Sequence, residues 1–366
     1  MKRLLCCILL SVVFASWGFA QMDLQTAAIV NLTRSEPITV GQLRTEVERV
    51  EKEPQQVQMI RAELTQKRGR DLTTAEFNQQ LRQYVLDNMI NERLAIQAAE
   101  RDKITISENE VNQQLSQLRS QMVQAIGRQP TDAEFATAIR NETGMELPAF
   151  REQVRRQLLM QKFLMSKKQG TIESLKVPTE TEISAAFNLA RADFVRPETV
   201  RFSMIQVPYG SDAAAKTKAK ELADRLIREI GGNPSKFDEV VLRGQAPNSG
   251  YMAGDGGYLP RNMDAARIVG QEFITTAFTI KQGEVSKIIE GALGYQIVKI
   301  TETYTMKSLE LDDIFQLGTR MTVRDYIGNT LLQRRQMEVL ALATQELVTE
   351  LRAGRTFQVF DRNLNW

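Results

Sequence analysis

Histidine is absent from all 366 residues, and cysteine occurs only twice, at Cys6 and Cys7. Both cysteines fall within an N-terminal apolar run, so the rest of the chain has neither residue. This removes disulfides, thiol nucleophiles, Cys/His zinc sites, Ser-His-Asp triads and imidazole general bases together. Stability must then come from buried apolar side chains. An excess of one charge is lacking too: 47 basic residues stand against 45 acidic ones. Lys2 and Arg3 leave with the N-terminal run, which makes the two signs equal. No basic surplus remains for nucleic acid. No second apolar run approaches the roughly 20 residues of a membrane span.

The N-terminal run itself is informative. "MKRLLCCILLSVVFASWGFAQ" places Lys2 and Arg3 before apolar residues from Leu4 to Phe19, with small residues Gly18 and Ala20 at the −3 and −1 positions of a cleavage site. Residues 1–20 read as a secretory signal peptide, which implies export to the periplasm. An uncleaved anchor is the alternative. Its apolar stretch of about 16 residues is short for a span of roughly 20. A lipoprotein is disfavoured because both cysteines precede most of the apolar run.

Beyond the leader, "AIVNLTRSEPITV" (28–40) predicts a short strand pair turning near Ser35-Glu36-Pro37. Helical periodicity follows. Thr73 with Glu76, Ser107 with Glu110, Thr131 with Glu134 and Thr179 with Glu182 spell capping boxes, each opening a helix. Leu81 and Val85, then Val111, Leu115, Leu118 and Met122, and then Phe150, Val154 and Leu158 form apolar stripes. The glutamines and charges between them read as a solvated face. The pattern changes at Arg196-Pro197. "TVRFSMIQVPYG" predicts a strand, "AAAKTKAKELADRLIREIGG" an amphipathic helix, and "QAPNSGYMAGDGGYLPRNM" a loop. "GYQIVKITETY" predicts the closing strand. This order suggests a compact α+β unit. A long helix over 322–354, capped by Gly354, and a strand at "RTFQVF" end the chain.

Together these segments resemble a SurA-type periplasmic chaperone with one parvulin-like (PpiC-type) domain. The resemblance rests on "INERLAIQAAERDKITISENEVNQQL" and "FREQVRRQLLMQKFL" in the helical part. In the α+β part it rests on "VRFSMIQV", "GDGGYLPRNM", "EFITTAFTIKQGEVS" and "GYQIVKI". It implies an α+β protein: a mainly helical core built from N- and C-terminal segments, plus one parvulin-like domain. The expected division is a signal peptide at 1–20, a helical chaperone domain at 21–195, a parvulin-like domain at 196–305, and a C-terminal helix and strand at 306–366 packing on the helical core. The implied partners are unfolded polypeptides, outer-membrane β-barrel clients among them, and Xaa-Pro segments. Neither nucleic acid, a membrane span nor a cofactor is implied.

The resemblance also locates a degenerate site. The histidines usual in the first and last parvulin strands are replaced here by Met204 and Gln296. Gly291 falls where a hydroxyl residue is common, and Pro247 lies near a usual Cys or Asp. Substrate-binding positions fall at Met204, Leu259, Met263, Phe273 and Gln296, with Phe278 read as core packing and Arg261 as a candidate for an acidic residue before proline. Gly256 takes the place of an apolar pocket residue. No catalytic residue is secure. An amide can donate and accept as neutral imidazole does, whereas a thioether cannot. Three readings follow: a chaperone whose degenerate parvulin domain only binds, a histidine-free prolyl isomerase, and a structural surface protein. The cluster Gly254-Asp255-Gly256-Gly257 lacks the Lys-Ser/Thr of a phosphate loop and reads as a turn.

Overall fold

The computed structural model describes residues 23–246 and 248–366. The leader and Pro247 lie outside the described residues. The chain divides into two compact units: residues up to Leu175 joined by Gln336–Trp366, and Lys176–Arg335 between them.

In the first unit, β1 (Thr26–Val30) pairs antiparallel with β2 (Glu36–Thr39) on one side and β9 (Phe357–Val359), near the C-terminus, on the other. The turn is set earlier than the sequence implies, because Glu36 and Pro37 already belong to β2. An edge strand tolerates this proline, which has no N–H to donate. Gln97 explains the turn. Its side chain is fully buried, and its Oε1 accepts from the backbone N–H of Leu32 and Thr33, both at 3.0 Å. Its Nε2 donates to Glu36 at 3.1 Å. One buried amide thereby replaces the water that these turn groups would otherwise need.

Helices α1 (Val40–Glu51), α2 (Pro54–Arg68) and α3 (Thr74–Arg101) pack on this sheet. Leu43, Ile60, Leu81, Leu86, Ile90 and Leu94 are buried among β1 and β2 side chains. Leu351, Phe357, Val359 and Trp366 from the C-terminal segment close the same core. Arg44 and Arg82 stack on the Trp366 ring, at 5.0 and 4.9 Å from its centre. Helices α4 (Glu108–Ile126), α5 (Asp132–Thr143) and α6 (Leu147–Lys167) have a small core of their own: Val111, Leu115, Phe135, Ile139 and Val154. Gly69, Gly127 and Gly144 end helices with φ near +70°, a conformation costly for any residue bearing a Cβ. A one-turn helix, α7 (Gln169–Glu173), follows α6.

In the second unit, α8 (Glu180–Leu189) leads through a two-residue bridge, β3 (Val195–Arg196) with β8 (Lys307–Ser308), into a four-stranded antiparallel sheet. The sheet order is β5 (Met252–Pro260), β4 (Thr199–Pro208), β7 (Gly294–Tyr304) and β6 (Ile289–Glu290). Helices α9 (Ala213–Ile230) and α10 (Pro234–Gly244) cover one face; α11 (Met263–Val269) and α12 (Gln271–Ala277) cover the other. The architecture is α+β. Two expectations change here. The glycine-rich stretch forms edge strand β5 rather than a loop or turn, since its main chain pairs with β4 along its length. Residues 176–195 and 306–335 belong with the sheet, not with the helical segments. The reason is burial: Ile183, Phe187, Phe194, Leu309, Val323 and Ile327 form one cluster. The final helix, α13 (Val323–Ala353), therefore supplies residues to both units. It is Arg355, with φ +49°, and not Gly354, that turns left-handed beyond it.

The capping boxes carry a pH prediction. Glu76 and Glu134 are held at about 2 chiefly by Arg70 and Arg128 respectively, and then by the N–H of Thr73 and of Thr131. Glu110 and Glu182 sit at about 2 chiefly because they accept from the N–H of Ser107 and Thr179. The ordinary value is 4.5. Between these limits the unfolded chain binds more protons, so acid favours unfolding. The stabilisation is present above pH 4.5 and lost as pH falls toward 2. Urea midpoints measured across this window fall steeply, and Glu→Gln replacement at all four positions flattens the slope. An unchanged slope refutes the assignment.

Candidate functional site

Strand alternation dictates what each sheet face holds. Val200, Phe202 and Met204 of β4 point to the α11–α12 side, as do Val298 and Ile300 of β7. Met204 lies opposite Val298 on one side and Gly254 on the other. Gln206 lies opposite Gln296. The face bearing Met204 and Gln296 is thus the face that packs on Phe273.

That face is filled from within. Phe273 is 1% exposed, and its ring meets Phe202 edge-on at 5.3 Å between centres. The register between β4 and β5 slips by one residue beside Phe202, skipping Gly256. A Cβ on Gly256 would overlap the Phe202 ring, with Cδ2 at 2.8 Å. The room vacated by a side chain at 256 is therefore taken by Phe202. Leu259 is buried in the same cluster, and Met204 is half-buried against it. Met263 does not join them. It is 75% exposed, at the first turn of α11, a helix capped by Asn262. Phe278 packs beside the cluster, with Arg261 stacked on it at 5.4 Å and paired with Glu198 at 2.7 Å.

Gln296 stands apart chemically. Its Oε1 is buried without a hydrogen-bond partner among the described residues. The amide lies over Gly291, where an added Cβ would come within 3.0 Å of Oε1. Gly291 also receives the Tyr209 hydroxyl on its carbonyl, at 3.0 Å. Ser286, 3% exposed, accepts from the Val298 N–H at 2.9 Å and donates to the Lys287 carbonyl at 2.7 Å, so its hydroxyl is committed to the fold.

Charge gathers instead on the opposite side of β4. Arg201 bridges Asp255 at 2.6 Å and Glu302 at 2.9 Å, and lies 5.4 Å from the Tyr258 ring centre. Tyr304 donates to Glu302, and that hydrogen bond, with burial, pushes the phenol up to about 12. Sequence reasoning did not single out this cluster; its members are scattered over three strands. It knits strands together and leaves no group free for chemistry. Among the described residues, no group of His, Cys, Asp or Glu could hold a metal, and no helix is long and apolar enough to cross a membrane.

Comparison with known proteins matches both parts of the chain. A SurA-like N-terminal domain matches residues 1–164, and a PPIC-type PPIASE domain matches residues 178–314. The Chaperone SurA of Alcanivorax borkumensis is 28% identical over 229 residues, which cover 61% of this chain and 48% of that protein. The Chaperone SurA of Chromohalobacter salexigens is 25% identical, covering 76% and 59%. The chain thus spans about half the length of these curated relatives. A solved chain from work on PEB4 and Cj1289, two SurA-like chaperones of Campylobacter jejuni, aligns over 92% of this chain and 98% of that one, at 13% identity and a TM-score of 0.35.

Proposed function

The chain belongs to the SurA type, a SurA-like N-terminal domain joined to one parvulin domain, and from that premise we propose that it is an exported periplasmic chaperone for unfolded polypeptides. Its clients include outer-membrane β-barrel proteins. Its parvulin domain binds but does not isomerise. The observation that carries this reading is the Phe202 ring seated where Gly256 leaves room. Prolyl isomerisation must overcome a barrier of about 18–20 kcal/mol. A catalyst does so by holding the ring in an apolar pocket and stabilising the twisted amide more than the planar one. Here the apolar space is occupied by the protein itself, and the polar positions are a thioether and a lone amide.

The test is cis–trans exchange of Xaa-Pro peptides followed by NMR with the full chain, alongside suppression of client aggregation. We expect exchange at the uncatalysed rate, and aggregation suppression that survives in part when residues 198–305 are removed. Accelerated exchange that vanishes with Phe273→Ala would establish a histidine-free isomerase instead. Aggregation suppression confined to the isolated 198–305 fragment would refute the chaperone assignment to the helical part.

A further inference from the structure

A cleft of about 370 Å³ opens in the first unit between α1, α3 and the N-terminal half of α6. Helical spacing sorts its lining. On α3, Val85 and Met89 are four residues apart, and so are Asn88 and Glu92, which sets an apolar row beside a polar one. Val50 of α1 and Met145, from the turn before α6, add to the apolar lining. Gln153 and Arg156 stand three residues apart on one face of α6. The sequence does not mark this cleft, because its lining comes from segments far apart along the chain.

The charged side chains lining it are not equally committed. Arg49 is paired with Glu46 at 2.8 Å along α1. Arg93 is paired at 3.0 Å with Glu36, which lies outside the cleft. Arg156 and Glu92 approach only to 3.5 Å, beyond the roughly 2.7–3.2 Å of an N–H···O bond. Their side chains are 45% and 37% exposed, so this loose pair yields to a better partner at little cost. Gln153 adds an acceptor. Its Oε1 is buried with no hydrogen-bond partner among the described residues. A buried acceptor without a donor is costly, so this position calls for an N–H. The cleft thus sets a loosely held cation, a loosely held anion and an unmet acceptor beside apolar side chains.

We propose that this cleft binds a free α-amino acid with an apolar side chain. Its carboxylate takes the Arg156 guanidinium. Its ammonium donates to Glu92 and to the Gln153 Oε1. Its side chain lies against Val50, Val85, Met89 and Met145. The inference goes beyond the chaperone reading and does not rest on it. Three features select this ligand. An α-amino acid carries both charges on neighbouring atoms, so it supplies Arg156 and Glu92 each with the charge-assisted bond they make poorly with one another. A phosphate or nucleotide would meet the carboxylates of Glu46 and Glu92 in the same cleft, where the other two guanidinium groups are already paired. The interior of a polypeptide has neither ammonium nor carboxylate on its main chain, so the ligand is not a stretch of unfolded client. The volume also fits: it lies at the small end of the roughly 300–1,000 Å³ usual for ligand pockets.

The experiment is calorimetric titration of the full chain with L-leucine, set against N-acetyl-leucine, leucinamide and glycine. Leucine is expected to bind saturably, with a Kd below about 1 mM. N-acetyl-leucine lacks the ammonium and leucinamide the carboxylate. Each should bind at least about tenfold more weakly, as its charged hydrogen bonds are lost. Glycine should also weaken about tenfold, for want of an apolar side chain to bury. In Arg156→Gln the preference for leucine over leucinamide should disappear, and in Glu92→Gln the preference over N-acetyl-leucine. A merely structural role at either position would not lose one preference and keep the other. Both side chains reach solvent, so the variants fold, which circular dichroism checks. With the methionine methyl groups labelled for NMR, leucine should shift Met89 and Met145 and leave Met204 in place. Absence of saturable leucine binding by the wild-type chain overturns the inference, and aggregation suppression by the same sample shows that the chaperone reading stands apart from it. Equal affinity for leucine and either blocked analogue also overturns it. So does leucine binding that leaves Met89 and Met145 unshifted.

Discussion

Replacing Phe135 with alanine melts the arm formed by α4, α5 and α6 while the rest of the protein stays folded. The arm's buried side chains are few: Val111, Leu115, Phe135, Ile139 and Val154. Fully burying such a side chain contributes about 1.5–3 kcal/mol before the entropy of ordering three helices is subtracted. The net margin of so small a core is a few kcal/mol. Removing a buried phenylalanine costs about 3–5 kcal/mol, and the Arg119 guanidinium stacked 4.7 Å from this ring loses its support as well. The capping boxes of α4 and α5 survive the substitution, but caps alone do not hold helices this short in water. Amide hydrogen exchange is the measurement. Protection should collapse over 108–160 and persist over 199–208 and 294–304. Uniform loss of protection throughout, or none anywhere, would show that the arm is not a separate cooperative unit.

Much of this architecture is legible in the sequence because it is local. A capping box places donor and acceptor three residues apart, so Thr73 with Glu76 or Ser107 with Glu110 announces a helix start whatever packs against it. Apolar stripes identify the buried faces of α3 and α4 for the same reason. Strand β4 and strand β7 declare themselves through β-branched alternation. What the sequence conceals is non-local. Helices α1 and α2 are harder to read, since α1 opens on β-branched Val40 and Gly41 and α2 opens on Pro54 without a side-chain cap. Strand β5 hides behind its glycines, because its strand character comes from pairing with β4 rather than from its own side chains. The division between the units is not legible locally, because Ile183 and Ile327 are far apart in sequence yet share a cluster. At the candidate site, resemblance alone singles out Met204 and Gln296. The seating of Phe202 on Gly256 could not be read that way, since it depends on a register slip between two strands. Met263 is matched by motif alone, and it stands exposed at the first turn of α11.

A double-mutant cycle between Phe202 and Gly256 should show strong coupling, larger than any other pair on the sheet face. Phe202→Ala alone leaves a cavity beneath Phe273 and costs about 3–5 kcal/mol. Gly256→Leu alone forces the new side chain into the Phe202 ring and costs about 1–3 kcal/mol or more, as overpacking does. Gly256 has an ordinary φ, so backbone strain does not enter the second figure. In the double variant the leucine occupies the space the ring has left, and its cost should fall well below the sum, with a coupling of about 2–3 kcal/mol. Urea unfolding of the sheet domain, followed by a probe on β7, gives all four corners of the cycle. Additive costs would mean that the two sites do not share one volume, and the closed-pocket argument would fail with them. The cycle also bears on function. Phe202→Ala with Gly256 retained is the single change that opens the apolar face beside Met204 and Gln296. If that variant binds Xaa-Pro peptides more tightly than the parent yet still leaves exchange at the uncatalysed rate, binding and turnover separate at this site. That outcome would place closure of the pocket on Phe202 and the absence of turnover on the thioether and unpaired amide at positions 204 and 296.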